Sequence, residues 1–280
     1  MKIRAKSPKT QKVVRKLERT IEVVKTMLAF DIDHTLGPSK VPIPKEVAML
    51  LMELMKKFEI CVISGRSFEQ FLAQVIGQLP IPDAELLKHL HCLPAQGTQY
   101  YRFTDEEGWE KVYAFYLRDE EVKKIFAIVK QVAKEMGYWR KENRENGDVI
   151  LENRKSQVTF AAIDTGADIE VKRAFDPDCS KREAMIVRMR ELAPEFEYKL
   201  GGNTSIDITL PGMDKSFGMK RLIEELGISK SEILYFGDMT QPGGNDYPIV
   251  QMGIDTVTVG EWYDTIFAMK AMLGMLGMLE

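Results

Sequence analysis

The chain has 280 residues, 45% hydrophobic and 29% charged, with a formal net charge of −3 at pH 7. This composition is typical of a globular protein with one large domain or two smaller ones. The charge excludes a strong basic field for nucleic acid, and no apolar run approaches the ~18 residues of a membrane span. Three widely spaced cysteines match no metal pattern. We therefore predict a cytoplasmic protein with reduced thiols and with neither a nucleic-acid nor a membrane partner.

The first 25 residues differ from the rest, because they carry nine Lys or Arg against two Glu. The two glutamates and the excess of lysine argue against a transit peptide. Helical spacing of the apolar residues favours a solvated arm followed by a surface helix. These apolar residues are Val13, Val14, Leu17, Ile21 and Val24.

Strand and helix patterns alternate over the next part of the chain. Apolar runs at 27–32, 59–64 and 90–95 predict strands, and the segments 45–57 and 67–79 between them predict helices. Alternation of this kind predicts parallel strands that are joined by right-handed crossovers.

The pattern changes from residue 99 onward. Two strand-like runs flank an Asp-Glu-Glu-Gly turn, and a long helix follows at about 119–136. The runs "DVILEN" and "QVTFAAI" are close enough in the chain for a hairpin. A helix at about 178–192 then precedes the strand-like runs "EYKLGG" and "SIDITL". This segment therefore predicts an α+β unit with antiparallel strands.

The alternation resumes after Pro211. The segment "KSFGMKRLIEELG" predicts a helix with Gly227 as its C-cap, and "EILYFGD" and "DTVTVG" predict two further strands before a final helix. We therefore predict an α/β fold with a Rossmann-like parallel sheet in a core domain of residues 1–104 and 209–280. The α+β unit is a second domain, inserted at 105–208.

Polar residues follow the predicted core strands or begin the helix after the insert. Because the carboxyl ends of parallel strands form the ligand crevice of an open sheet, these residues are expected to converge. A hard divalent cation such as Mg²⁺, which prefers oxygen ligands, would neutralise the acids. The stretches are Asp31 with Asp33, Ser64-Gly65-Arg66, Asp214-Lys215, and "GDMTQPGGND" with Asp238 and Asp246.

Each of these stretches taken alone is typical of an ordinary turn or helix cap. Their order and their positions after predicted strands favour a functional site. In this order they resemble the motifs of the haloacid dehalogenase superfamily of phosphotransferases. Three of the segments resemble its phosphomannomutase branch, whose cap is an α/β insert between the second and third motifs. The segments are "FDIDHTLGPSK", "GGNTSIDITLPGMDK" and "YFGDMTQPGGNDYPI".

The resemblance extends over residues 27–265 and implies a role for each acid. Asp31 would be the nucleophile that forms an aspartyl phosphate. Asp33 would protonate the leaving sugar oxygen and then act as a base toward the acceptor. Mg²⁺ would be held by Asp31, by the backbone carbonyl of Asp33 and by Asp238, with Asp246 supporting the site directly or through water.

The resemblance also implies a phosphate site and a substrate site. Ser64, Gly65 and Lys215 would bind the transferring phosphoryl group, together with the turn that contains His34 and Thr35. His34 stands where the family usually has glycine, so a catalytic histidine and a partly exposed turn histidine stay open as alternatives.

Four further residues correspond to substrate-contacting positions of the branch. Lys40 occupies the place of an arginine at the entrance, and Arg154 matches an arginine of the cap. The partner of that arginine would fall on Gly147, although Arg144 lies nearby in the chain. Ser205 and Asp207 match a sugar-contacting Ser-x-Asp, and the alternative is a simple polar alternation along a strand.

The resemblance leaves three functions open, each with a small phosphorylated sugar as ligand. Because the arginine set of the cap is incomplete, a Mg²⁺-dependent sugar-phosphate phosphatase is our first expectation. The alternative is a phosphomannomutase that interconverts hexose 1- and 6-phosphates. A non-catalytic sugar-phosphate binding module is the third, and it conflicts with the presence of every acid that the chemistry requires.

The apolar tail has methionines at 269, 272, 275 and 278. Their spacing favours a helix, although Gly274 and Gly277 lower helix propensity. Two interpretations stay open for this tail, namely packing on the core and packing on a second subunit in a homodimer.

Overall fold

The computed structural model describes residues 25–80, 83–139, 151–163 and 167–278. The predicted N-terminal arm and surface helix lie outside these residues, apart from Lys25. Within the described residues, no helix combines the length and the apolar character needed to cross a membrane.

A seven-stranded sheet forms the centre of the larger part of the molecule, in the order β11-β10-β1-β2-β3-β4-β5. The five strands from β11 to β3 are parallel, and β4 and β5 form an antiparallel hairpin at one edge. The strands are β1 Met27–Phe30, β2 Glu59–Ile63, β3 Leu90–Leu93, β4 Gln99–Thr104, β5 Gly108–Ala114, β10 Ile233–Gly237 and β11 Asp255–Thr258.

Helices connect these parallel strands, as the alternation predicts. The predicted helix at 67–79 ends at Gln74 and continues as a short 3₁₀ turn. Two short helices, α3 and α8, carry too few periodic residues to be predicted from the sequence. The helices of this part are α1 Lys45–Met55, α2 Phe68–Gln74, α3 Ala84–Leu87, α7 Lys215–Leu226, α8 Tyr247–Gln251 and α9 Trp262–Met275.

The central strands are buried on both faces, which explains why they are apolar at successive positions. All four residues of β1 are buried. Leu28 and Phe30 pack into the cluster that contains α1 and α9, whereas Met27 and Ala29 pack against the cluster that contains α7. The α/β prediction is therefore confirmed.

A smaller antiparallel sheet, β6-β7-β9-β8, forms the second part of the molecule. Two helices, α4 and α6, pack against it around a hydrophobic cluster of their own. The elements of this cap are α4 Asp119–Glu135, β6 Leu151–Asn153, β7 Val158–Ala161, α5 Ile169–Phe175, α6 Ser180–Leu192, β8 Glu197–Leu200 and β9 Ser205–Thr209. Helix α5 was not predicted from the sequence.

The first border between core and cap differs from the predicted position. Strand β5, which a border at residue 104 assigns to the insert, is paired with β4 in the seven-stranded sheet. A hairpin turn and a domain crossover have similar polar sequences, so composition alone does not separate them. We propose that the cap begins after Ala114.

Helix α9 carries Met269, Met272 and Met275 and contacts α1, and Met278 follows the helix. Met269 is fully buried, and Met272 and Met278 pack against the same core cluster. Met275 is 81% exposed. Packing of the tail on the core is therefore confirmed, and the homodimer stays a prediction.

A buried ion pair stabilises the cap. The Nε atom of Arg182 lies 2.8 Å from Oδ2 of Asp176, and both side chains are almost inaccessible to solvent. The same guanidinium donates through Nη1 to the carbonyl oxygens of Gly201 and Gly202, at 2.8 and 2.5 Å. One side chain thus connects the start of α6 to the loop between β8 and β9.

We expect Arg182→Met to lower the free energy of unfolding of the cap by about 3–5 kcal/mol, because Asp176 would stay buried without its partner. Arg188→Met is the matched control on the same helix, since Arg188 is 39% exposed and its ion pairs with Glu135 and Glu191 lie at the surface. It should cost about 1 kcal/mol or less. Urea denaturation measures both. Equal, small losses would contradict a structural role for the buried pair.

Candidate active site

The first acid of the chain's acidic motifs, Asp31, lies at the carboxyl end of β1 and is 2% exposed. Its Oδ1 atom is 2.7 Å from Nζ of Lys215, the first residue of α7. Asp214 caps this helix by accepting from the backbone N–H of Ser216 at 2.9 Å. Burial raises the pKa of Asp31 to about 7, against the opposing effect of the Lys215 charge.

The buried ammonium of Lys215 has a second carboxylate partner in Asp246, at 2.6 Å. Burial disfavours the charged amine, but Asp246 and Asp31 raise the pKa of Lys215, so it stays an ammonium. Tyr235 of β10 donates its hydroxyl to the same oxygen of Asp246 at 2.5 Å. A Cβ atom at Gly237 would lie 2.5 Å from Oδ2 of Asp246, so glycine is needed for the acid to approach the strand.

Three acids converge at this edge of the sheet, as the sequence predicts. Carboxylate oxygens of Asp31, Asp238 and Asp246 lie within 4.8 Å of one another. Burial and then the charge of Asp246 raise the pKa of Asp238. Lys215 compensates only part of this negative charge. The three carboxylates offer only oxygen donors, and they carry more negative charge than the single ammonium neutralises. Such a set of donors is suited to a hard divalent cation.

The carboxylate of Asp33 lies apart from this cluster and is held by Arg66. The guanidinium forms a fork, with Nη2 at 2.6 Å from Oδ1 and Nε at 3.2 Å from Oδ2. The backbone N–H of Lys40 donates to Oδ1 at 3.0 Å. Burial alone would raise the pKa of Asp33, but the bond and charge of Arg66 hold it below its ordinary value. The pKa of Asp31 is therefore raised and the pKa of Asp33 is lowered, although the two acids are only two positions apart in the chain.

The predicted phosphate-binding residues lie at the ends of β1, β2 and α7. Ser64 is 3% exposed and Lys215 is fully buried. The hydroxyl oxygen of Thr35 is buried and has no hydrogen-bond partner among the described residues. A Cβ atom at Gly65 would make a tight contact, 3.0 Å, with Nε2 of the Gln96 side chain. These features are consistent with a site that binds phosphate oxygens.

His34 adopts a left-handed backbone conformation with φ of 58°. This conformation explains why glycine is usual at the position, since a side chain there is strained. The ring Nδ1 lies 3.2 Å from Oε2 of Glu261, and both side chains are 42% exposed. The histidine is thus a partly exposed turn residue that is paired with Glu261, and a catalytic role stays open as the alternative.

The cap brings one of the predicted substrate residues, Arg154, into contact with the core. Arg154 donates through Nη1 to the carbonyl oxygen of Gly65 at 3.0 Å, and through Nη2 to Glu152 at 2.7 Å. Asp207 and Ser205 lie on β9, and Asp207 accepts from Thr159 at 2.7 Å. Burial raises the pKa of Asp207 against the effect of the Arg154 charge.

Sequence reasoning missed several side chains of this site. Arg66 was visible in the Ser-Gly-Arg stretch but received no role, because its partner Asp33 is 33 positions away. Tyr235 looks like an ordinary apolar residue of a buried strand, and Glu261 like a helix cap. Gly147 and Arg144, the two positions that bear on a second cap arginine, lie outside the described residues.

Comparison with known proteins identifies the family. Residues 28–261 match the family of haloacid dehalogenase-like hydrolases. The chain belongs to this family. It is therefore an enzyme of the haloacid dehalogenase superfamily, as the order of its motifs predicts.

Two relatives agree with this assignment, and a solved structure shares the fold. A phosphomannomutase of Encephalitozoon cuniculi is 26% identical over 260 residues, which cover 91% of this chain and 96% of that protein. The phosphomannomutase of Saccharomyces cerevisiae is 25% identical over 244 residues, which cover 85% of this chain and 89% of that protein. The ATP-bound IMP-nucleotidase of Plasmodium falciparum superposes with a TM-score of 0.66 at 17% identity, covering 90% of this chain and 61% of that one. This last likeness shows the fold alone.

Proposed function

We propose that this enzyme is a Mg²⁺-dependent hexose phosphomutase that interconverts sugar 1- and 6-phosphates through an aspartyl phosphate on Asp31. The relatives named phosphomannomutase match the chain over most of its length. They favour this alternative over the phosphatase that the sequence alone ranks first.

The observation that carries the proposal is the contact of the cap with the core beside a buried nucleophile. Asp31 is 2% exposed and Ser64 is 3% exposed. The cap contacts the core where Arg154 donates to Gly65, and where the Gln99 side chain donates to Ser156 at 3.1 Å. A cap that stays on the core in this position while a sugar is bound would exclude water, which favours transfer to the sugar over hydrolysis.

In the proposed mechanism, Asp31 attacks phosphorus and the sugar oxygen leaves. Lys215 and the Ser64 loop bind the phosphoryl oxygens and stabilise the charge that spreads over them. Asp33 would give a proton to the leaving oxygen and later take one from the hydroxyl that accepts the phosphoryl group. The first step requires the bound sugar phosphate to weaken the Arg66 contact that lowers the pKa of Asp33 in the free enzyme. Mg²⁺, held by Asp31, Asp238 and Asp246, would supply positive charge to the phosphoryl oxygens.

A sugar-phosphate phosphatase is the second candidate, and one sequence observation favours it. Gly147 stands where the second cap arginine of the phosphomannomutase branch is expected. A cap that grips the distal phosphate weakly would release the sugar and admit water, which would then hydrolyse the aspartyl phosphate.

Phosphorus NMR separates the two candidates. Mannose 1-phosphate is incubated with enzyme, Mg²⁺ and a trace of hexose 1,6-bisphosphate, with EDTA in a parallel sample. We expect conversion to the 6-phosphate with less than one-tenth as much inorganic phosphate, and no reaction with EDTA. Release of phosphate faster than isomerisation would make the enzyme a phosphatase. Sugar phosphates left unchanged in every sample would refute both candidates.

A further inference from the structure

Tyr235 of β10 places a hydroxyl group between two charged groups of the site. Its ring is fully buried in the hydrophobic cluster that contains α7. The hydroxyl oxygen lies 2.5 Å from Oδ1 of Asp246 and 3.3 Å from Nζ of Lys215. A phenol hydroxyl can donate one hydrogen bond and accept another. The hydroxyl of Tyr235 therefore donates to the carboxylate and accepts from the ammonium.

The carboxylate of Asp246 is fixed by donors from different elements of the core. Lys215 of α7 and Tyr235 of β10 donate to its Oδ1 atom at 2.6 and 2.5 Å. The backbone N–H of Met239 donates to its Oδ2 atom at 3.0 Å. A Cβ atom at Gly237 would lie 2.8 Å from Cε1 of the Tyr235 ring, so glycine is needed for the ring to lie there. These contacts set the direction of the carboxylate before any ligand binds.

The ammonium of Lys215 is shared between Asp246 and the proposed nucleophile. Its Nζ atom lies 2.6 Å from Oδ1 of Asp246 and 2.7 Å from Oδ1 of Asp31. In the proposed mechanism, Asp31 offers an electron pair to phosphorus while Lys215 binds the phosphoryl oxygens. An ammonium bound to Asp31 alone would hold that electron pair back, because hydrogen bonds between charged groups are strong. A second carboxylate in a fixed position keeps the ammonium in the site when Asp31 turns toward phosphorus.

We propose that Tyr235 is a positioning residue for phosphoryl transfer, whose hydroxyl holds Asp246 against Lys215 and thereby leaves Asp31 free to attack. The inference rests on the proposed function, because it requires an aspartyl phosphate on Asp31. Tyr235 acts on the nucleophile through Asp246 and Lys215, and not on the sugar. Its removal should therefore slow the chemical step equally for sugar phosphates and aryl phosphates, with little effect on substrate binding.

Tyr235→Phe tests the inference on the intact enzyme, because it removes the hydroxyl and keeps the ring. Tyr100→Phe is the matched control, since Tyr100 is fully buried in the same cluster and its hydroxyl lies 2.8 Å from Nδ1 of His91. At saturating Mg²⁺, rapid-quench measurement should show aspartyl phosphorylation about tenfold slower in Tyr235→Phe, the scale of one hydrogen bond to a charged group. Hexose 1,6-bisphosphate and 4-nitrophenyl phosphate should give the same factor. The substrate concentration at half-maximal rate should change less than twofold, and Tyr100→Phe should leave both quantities within twofold of wild type.

Orthovanadate tests the same inference without turnover, because it mimics the phosphoryl group during transfer. An analogue of the transition state depends on the placement of the nucleophile and the ammonium. Calorimetric titration with orthovanadate should therefore give an affinity about tenfold weaker for Tyr235→Phe and within twofold of wild type for Tyr100→Phe. Thermal unfolding of each variant checks its fold.

Combination with Asp246→Asn tests whether Tyr235 acts through this acid. The carboxylate that the hydroxyl positions is then gone, so adding Tyr235→Phe should slow phosphorylation by less than a further twofold. A second tenfold loss in this background would show that the hydroxyl acts on another group, and it would overturn the inference.

The outcomes separate this inference from the proposed function. Wild-type enzyme that forms no aspartyl phosphate from either compound would overturn the proposed function, and the inference with it. Wild-type enzyme that reacts with both, while folded Tyr235→Phe enzyme matches Tyr100→Phe in rate and in orthovanadate affinity, would overturn the inference alone. A loss confined to the hexose bisphosphate would also overturn it, because Tyr235 would then act on the sugar.

Discussion

Asp31→Asn should reduce turnover of sugar phosphates by about 10⁴-fold or more, the scale typical of removing a nucleophile. The amide keeps the shape of the side chain but loses its nucleophilicity and one negative charge of the acidic cluster. Lys215 keeps Asp246 as a partner at 2.6 Å, so the buried ammonium stays paired and the fold should persist. Steady-state phosphate release or isomerisation measures the loss, and thermal unfolding checks the fold.

Asp105→Asn is a suitable control for this variant, because Asp105 is 59% exposed and pairs with Lys88 at the surface. It should leave both turnover and stability close to wild type. An Asp31→Asn enzyme that is folded and keeps a tenth of wild-type turnover would show that another group attacks phosphorus.

Asp33→Asn should slow phosphorylation of Asp31 by sugar phosphates by about 10²–10⁴-fold, because the amide has no proton to give to the leaving oxygen. Aryl phosphates with good leaving groups need less help, so their phosphorylation should be slowed much less. The later transfer to the acceptor should be slow for both substrates, since the same residue acts there as the base. Rapid-quench measurement of aspartyl phosphate resolves the two steps.

Asp33→Asn also removes the carboxylate that Arg66 binds. Asp33→Glu helps to separate the loss of this ion pair from the loss of the general acid. The glutamate keeps a carboxylate for Arg66 but moves it by one methylene, so partial recovery with sugar phosphates is expected. If Asp33→Asn loses the same factor with poor and good leaving groups in the phosphorylation step, Asp33 is not the general acid.

The relation between Asp33 and Arg66 shows where sequence reasoning stops. The Asp-x-Asp spacing predicts two acids at the end of β1, and the structure places both there. Nothing local shows that Arg66 holds one of them, because the contact joins residues 33 positions apart. The cap contact from Arg154 to Gly65 joins residues 89 positions apart. Such pairs form only when the strands align and the cap folds back over the core.

The border between core and cap also depends on contacts between residues that are distant in the chain. The turn between β4 and β5 is readable from its Asp-Glu-Glu-Gly sequence, and the hairpin is present. Its assignment to the larger sheet depends on the pairing of Cys92 in β3 with Tyr101 in β4, a tertiary contact. Two half-polar strands carry no local signal of the sheet they will join.

The sequence by itself determined the alternation of strands and helices, the change to an α+β pattern between them and the order of four motifs. Apolar periodicity and strand-end acids are local properties of the chain, and these elements follow from them. Only the tertiary structure decided which charged side chains form ion pairs with one another. It paired Lys215 with Asp31 and Asp246, Arg66 with Asp33, and Glu261 with His34. The physical reason is that burial and ion pairing depend on distances in space, which the spacing of residues along the chain does not contain.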